Sequence, residues 1–328
     1  MDISLNEIEK FMPEMEINMT RSTSALQDRK NANNRIKRMK LSNIVAKNIL
    51  FLFAIVTILT TIGIIISLLK DSIGFFEEIP IKDFLFGRVW TPLFSEPEFG
   101  VLPLVCGTLL ITLISAVISI PIGLFTAIYL SEYANKRVRK IIKPILEVLA
   151  GIPSIVFGYF ALTTITPFLK GIIPQTEIFN ALSASIAIGV MTIPLVSSLS
   201  EDALRAVPDS LRQGALALGS TKMETSLKVV VPAAISGISA SFVLAISRAI
   251  GETMIVTIAA GARPNLTFNP LESVQTMTSF IVQASQGDNP HGTVGYYSLF
   301  AVGLLLFLIT LGLNILSHYM VDKYRKEY

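Results

Sequence analysis

A chain of 328 residues that is 52% hydrophobic and only 16% charged carries well below the roughly 25% of charged residues found in an ordinary soluble domain. Its charges fall in short clusters separated by long uncharged stretches, the pattern of membrane spans joined by loops rather than of a large soluble core. The formal net charge of +3 is accounted for by loop asymmetry and gives no reason to invoke nucleic acid.

Residues 1–47 read as a cytoplasmic tail. It opens with Asp2, Glu7, Glu9, Glu14 and Glu16, and its first apolar run starts too late and runs too long for a cleavable signal peptide. Leu5, Ile8 and Met12 share a helical face, so residues 1–28 fit either a short cytoplasmic helix or a mobile tail. Residues 29–47 hold Arg29, Lys30, Arg35, Lys37, Arg38, Lys40 and Lys47 and are predicted to rest against anionic headgroups.

A six-span domain is predicted over residues 48–320, followed by a cytoplasmic tail at 321–328. The spans are Asn48–Leu69, Pro103–Leu130, Val148–Leu169, Ile178–Ser200, Val229–Ala262 and a segment within Tyr297–Met320. Each reaches the roughly 20 residues that cross a hydrocarbon core of about 30 Å. Backbone groups in hydrocarbon must be satisfied within the protein, which leaves helices or a closed barrel. Barrel strands alternate in polarity. Ile62–Leu69 and Leu304–Leu313 do not, so the predicted class is an all-α polytopic bundle.

Lys136, Arg137, Arg139, Lys140 and Lys143 follow the second span; Arg205, Arg212, Lys222 and Lys228 follow the fourth; Lys323, Arg325 and Lys326 follow the last. The intervening loops are poorer in basic residues, and the positive-inside rule puts both termini in the cytoplasm. The 201–228 loop is long for a polytopic connector. Pro208-Asp209-Ser210 can start a helix in it. Leu211, Ala215 and Leu218 then share a face, Gly219 can end the helix in a left-handed turn, and Thr221 can cap a second short helix running towards Pro232. Such a unit is an amphipathic loop on the membrane or a docking element for a cytoplasmic partner.

Enzyme chemistry is scarcely represented. Cys106 is the one cysteine, so no internal disulfide can form. His291 and His318 are the only histidines and are expected near opposite membrane faces, which disfavours a shared metal site. Gly214–Thr221 approaches phosphate-loop spacing, but Ser220 stands where the lysine is needed and no strand is expected before it. No cofactor is expected. Pro121, Pro153, Pro167 and Pro194 lie within or near spans and can bend them, with Gly151 and Pro153 a candidate hinge or a fixed packing kink. Gly237, Ser241 and Ala245 recur every fourth residue and mark a packing face.

Gln213-Gly214-Ala215, three residues, Gly219, nine residues and Val229-Val230-Val231-Pro232 resemble the cytoplasmic signature of ABC-importer permeases. That signature has Glu where Gln213 stands, Ala where Gly214 stands, and Ile and Leu where this chain has valines. Gly151-Ile152-Pro153-Ser154-Ile155-Val156-Phe157-Gly158 resembles the third-span signature of phosphate-specific permeases, and Arg248-Ala249-Ile250-Gly251-Glu252-Thr253-Met254 their charged fifth-span signature. Trp90-Thr91-Pro92, Phe99–Pro103 and Gly107-Thr108-Leu109 are similar to the PstC-type subunit. The matches run from about residue 84 to 320.

The resemblance implies a type I importer fold in a bacterial or archaeal cytoplasmic membrane, with the 201–228 loop as a coupling helix seated on a separate ATPase subunit. It implies inorganic phosphate as solute, with sulfate or molybdate as the other oxyanions to weigh. It also implies a PstA-type second permease subunit, two ATPase subunits and an extracytoplasmic phosphate-binding protein as partners. Gln213, Gly214, Ala215, Gly219 and Pro232 would couple to the ATPase; Arg248 and Glu252, one turn apart and able to pair, would lie on the pathway. An ATPase-independent anion carrier would need no docking loop of this spacing. An intramembrane enzyme should show a nucleophile–base pair or metal cluster within its spans.

Overall fold

The computed structural model describes residues 43–324 apart from 93, 95, 288 and 289. The expectations for residues 1–42 and 325–328, and for the His318 side chain, lie outside the described residues. Contacts divide the chain after Ser67, and the packing below concerns the unit Leu68–Tyr328.

Five helices are long and apolar enough to cross a membrane: α1 Asn43–Glu78, α3 Leu102–Tyr133, α5 Ser154–Ile172, α6 Ala181–Ala206 and α11, apolar over Val294–Ser317 and helical to Tyr324. A bent pair, α8 Lys222–Ala233 and α9 Ile235–Ile250, makes a sixth if counted as one span. Shorter helices are α2 Ile81–Phe86, α4 Lys136–Gly151, α7 Asp209–Ala217 and α10 Met277–Gln286. Among the described residues the only β-pairing is an isolated bridge between Trp90 and Phe99. The fold is thus an all-α polytopic bundle.

Two predicted spans are interrupted by breaks. The third begins at Ser154 rather than Val148, because α4 stops at Gly151 and the chain turns extended at Ile152 before Pro153. A residue preceding proline is driven out of the helical region. The fifth bends by 72° between Ala233 and Ile235. Pro232 lacks the amide that would bond the Lys228 carbonyl, and a π-helical turn Ser226–Val230 precedes it, so the helix has lost its ladder where it turns. It also ends at Ile250 instead of continuing to Ala262. The 201–228 loop is shorter than predicted, since α6 runs on to Ala206.

Helices α3 and α6 form the centre of this unit. They approach closely because small residues face large ones. A β-carbon on Gly123 would come within 2.6 Å of Val196, and one on Gly189 within 3.0 Å of Ile118. Without a hydrophobic driving force inside lipid, such close packing and buried hydroxyls hold helices together. Ser115 Oγ donates across the seam to the Ser185 carbonyl at 3.1 Å. On α9, Ser241 and Ala245 are buried, Gly237 lies against Ala203, and Ser241 bonds Ser200 at 2.8 Å. The every-fourth-residue face therefore packs on α6. At the other end of the bundle, Phe75, Phe84, Trp90, Phe99 and Phe280 form an edge-to-face aromatic cluster, closing the loop that joins α2 to α3.

Candidate functional site

Helix α4 has its polar face turned inwards. Arg139, Lys143 and Glu147, four residues apart, lie towards α6, while Ile141, Ile145 and Val148 are exposed on the other face. Lys136, Arg137 and Lys140 are exposed at the start of α4, so only its second half has an apolar exterior, which suits lipid or another apolar subunit outside and a wet cavity within. Between α4 and α6 lies a cavity of about 220 Å³ lined by Lys143, Glu147, Pro194, Ser198, Glu201 and Arg248, among others.

Arg248 sits thirteen residues into α9, about 20 Å from its start at 1.5 Å per residue. That is shorter than the distance counted along an unbroken helix from Pro232. Its side chain is exposed to the cavity and makes no hydrogen bond or ion pair with any described residue. The expected pairing with Glu252 is absent. Gly251 caps α9, Glu252 leaves the helix, and its carboxylate accepts the Ile255 amide at 3.4 Å at the start of the next helical turn. Glu252 is buried there, and its carbonyl accepts the Thr278 hydroxyl at 2.8 Å. The two residues are neighbours in sequence with separate surroundings: a free guanidinium on the cavity wall and a carboxylate that caps a broken helix.

The predicted coupling residues lie on one projecting unit. Helix α7 ends in a Schellman turn. The Ser220 amide bonds the Ala215 carbonyl at 3.2 Å, the Gly219 amide bonds the Leu216 carbonyl at 3.0 Å, and Gly219 has φ +87°, the left-handed conformation that glycine adopts without strain. Thr221 then starts α8 in a capping box, accepting the Glu224 amide at 3.2 Å while the Glu224 carboxylate accepts the Thr221 amide at 3.1 Å. Gln213, Gly214 and Pro232 are exposed and Ala215 is half-buried. Leu218 departs from the predicted shared face. As the α7 C-cap it leaves the helix and is 91% exposed, with Leu216, Met223 and Leu227 also exposed nearby. An apolar knob of this kind on a charged loop is the mark of a contact surface. The phosphate-loop spacing here carries no such loop, since Asp209–Ala217 is helix.

Gly151 and Pro153 flank the α4–α5 break, and a β-carbon on Gly151 would meet open space. Sequence reasoning missed Lys143, Glu201, Arg139, Glu132 and Arg212. Of these only Lys143 and Glu201 line Arg248's cavity, and they lie too far apart in sequence for local spacing to reveal the contact.

A bundle of apolar helices around a charged cavity, with a capped loop projecting from it, defines a membrane permease subunit rather than an enzyme. Residues 119–326 match the family model described as binding-protein-dependent transport system inner membrane component, and the chain belongs to that family. It is 34% identical over 241 residues, 74% of this chain and 78% of the relative, to the probable ABC transporter permease protein YqgH of Bacillus subtilis. It is 31% identical to the phosphate transport system permease protein PstC of Haemophilus influenzae, covering 83% of this chain and 90% of that one. Its fold is similar to a chain of the inward-facing MetNI methionine ABC transporter, with a TM-score of 0.51 at 18% identity over 69% of this chain and 95% of that one.

Proposed function

We propose that this chain is one of two permease subunits of an ATP-driven importer of inorganic phosphate. A PstC relative matched along most of both chains supports the solute. The observation that carries the pathway reading is the Arg248 guanidinium, unpaired among the described residues, on the wall of the cavity between α4 and α6. An arginine in a membrane helix costs roughly 2.5–3.5 kcal/mol on insertion scales, and a partner that is not protein offsets that cost. A guanidinium binds a tetrahedral oxyanion through two parallel hydrogen bonds. Lys143 adds a second positive charge to the same cavity, while Glu147 and Glu201 keep it from holding an anion too tightly to release.

In this reading an extracytoplasmic phosphate-binding protein delivers the anion, a PstA-type subunit supplies the other half of the pathway, and two ATPase subunits drive alternating access. The unit from Asp209 to Pro232, with Gln213, Gly214, Ala215 and Gly219 on it, seats on one ATPase. Glu252 acts as a cap that holds the broken helix beside Arg248 rather than as its ion-pair partner. Gly151 and Pro153 provide the hinge between α4 and α5. Sulfate or molybdate is the second reading, because the same guanidinium fits any tetrahedral oxyanion.

The test is Arg248→Ala in the assembled complex. Loss of two charge-assisted hydrogen bonds predicts uptake of labelled phosphate lower by roughly a hundredfold, with both permeases and the ATPase still copurifying. Normal uptake by this variant contradicts the pathway role, and loss of the complex would make Arg248 a structural residue.

A further inference from the structure

The polar ends of α3 and α6 lie side by side, and each is closed by an arginine from a different helix. Arg139 of α4 donates to the Leu130 and Ser131 carbonyls at the end of α3, and its Nε lies 3.2 Å from Glu201 of α6. Arg212 of α7 does the reverse. It donates to the Leu204 and Val207 carbonyls at the end of α6, at 2.7 and 2.6 Å, and reaches Glu132 of α3 through Nη2 at 3.2 Å and Nε at 3.4 Å. Each guanidinium thus caps one helix and pairs with the carboxylate of the other. The carbonyls lie at the C-terminal ends of the two helices, at the negative end of the dipole, and that of Leu204 also accepts the Val207 amide.

The two halves are unequal. Arg139 and Glu201 face each other without an aligned hydrogen bond, and Glu201 is shared with Lys143 at 3.9 Å and Arg205 at 3.9 Å. Arg212 holds Glu132 with two donors. Their side chains are 18% and 8% exposed, so solvent screens them less than an exposed pair. The Asp209 carboxylate also lies 3.0 Å from Arg212 but is 85% exposed and adds little.

Burial of such charges is a poor way to gain stability, since apolar residues of like size do as well or better. What the arrangement supplies is a mechanical connection. Helix α7 has no fully buried residue, and its apolar hold on the bundle is the partly buried Leu211. A push on α7 reaches α6 through the two-residue Val207-Pro208 link and α8 through packing on residues 222–230, and Arg212 adds the side-chain tie that carries it across to α3. It arrives at the ends of α3 and α6 together, and α6 lines the Arg248 cavity from Met191 to Glu201.

We propose that Arg212 and Glu132 form the strut that transmits movement of the coupling helix to α3 and α6, with Arg139 and Glu201 as the second tie. This rests on the reading of 209–232 as the ATPase-docking unit. Arg212 and Glu132 are positioning residues; they touch neither nucleotide nor solute.

The experiment uses the complete complex in liposomes and measures phosphate moved per ATP hydrolysed, together with retention of the ATPase. Glu132→Gln leaves the carbonyl bonds of Arg212 in place and removes only the charge across to α3. It should keep the ATPase bound and hydrolysing while phosphate moved per ATP falls roughly tenfold, the scale of a 1–2 kcal/mol coupling. Arg212→Gln should fall at least as far, and the double variant should be no worse than Arg212→Gln, since contacting residues are not additive. An unchanged ratio in Glu132→Gln overturns the strut, as does additive loss in the double variant. Loss of the ATPase from Glu132→Gln would make the pair a docking or folding feature and also overturn it. A wild-type complex that holds no ATPase would instead refute the docking reading on which the strut depends.

Discussion

At Arg248, charge and shape separate. Arg248→Lys keeps a cation on the cavity wall but loses the planar fork, so uptake should persist at roughly a tenth of the parent rate with assembly unchanged; initial-rate uptake of labelled phosphate measures this. Activity equal to the parent would mean that charge alone suffices. Gly219 is a second residue whose requirement is conformational. A β-carbon there meets nothing within 4 Å, so its φ of +87° is the whole constraint. Gly219→Val should strain the Schellman turn by about 1–2 kcal/mol, inserting normally but binding the ATPase roughly tenfold more weakly. Quantitative copurification is the readout, and unaltered ATPase retention would remove this loop from the interface. The two residues were legible in sequence for different reasons. Arg248 stood out as a charge in an uncharged run, and Gly219 as a glycine at the predicted helix end. The Arg212–Glu132 contact was not legible, because its partners are 80 residues apart and only the parallel packing of α3 and α6 brings them together.

Among elements, the α3–α6 seam invites a packing test. Gly123→Ala places a β-carbon 2.6 Å from that of Val196 and should cost about 1–3 kcal/mol as overpacking, lowering the thermal stability of the purified complex. Adding Val196→Gly should restore most of it. Failure of that rescue would mean the helices do not meet at these residues. Span lengths could be read from apolar runs, since length and hydropathy alone decide what fits the bilayer. The breaks were harder. Pro153 marked a candidate kink but not the end of α4, and Pro232 stands two residues before the 72° bend at Ala234, where the apolar run on both sides gives no sign of how sharply the helix turns. Apolar residues on both sides of Gly251 hide the end of α9, so the sequence alone places Arg248 and Glu252 on one turn of a continuous helix. The inward polar face of α4 also reverses the usual rule for soluble helices, and only its neighbours reveal which way it points.

For the whole molecule, alternating basic loops predict that both termini share the cytoplasmic side. With Cys106 replaced, a cysteine introduced at Asn135 should resist impermeant reagents applied outside intact cells, and one at Phe268 should react. Labelling at Asn135 from outside would invert or break the six-span arrangement. As half of an importer, this chain would form a pathway through which ATP hydrolysis drives phosphate. The most direct measurement is uptake into liposomes bearing the complete complex with its binding protein, comparing labelled phosphate with sulfate and molybdate, with and without ATP. Phosphate should accumulate only when ATP is hydrolysed, with little competition from the other oxyanions. Phosphate entry that ignores ATP, or preferential accumulation of sulfate or molybdate, would contradict it.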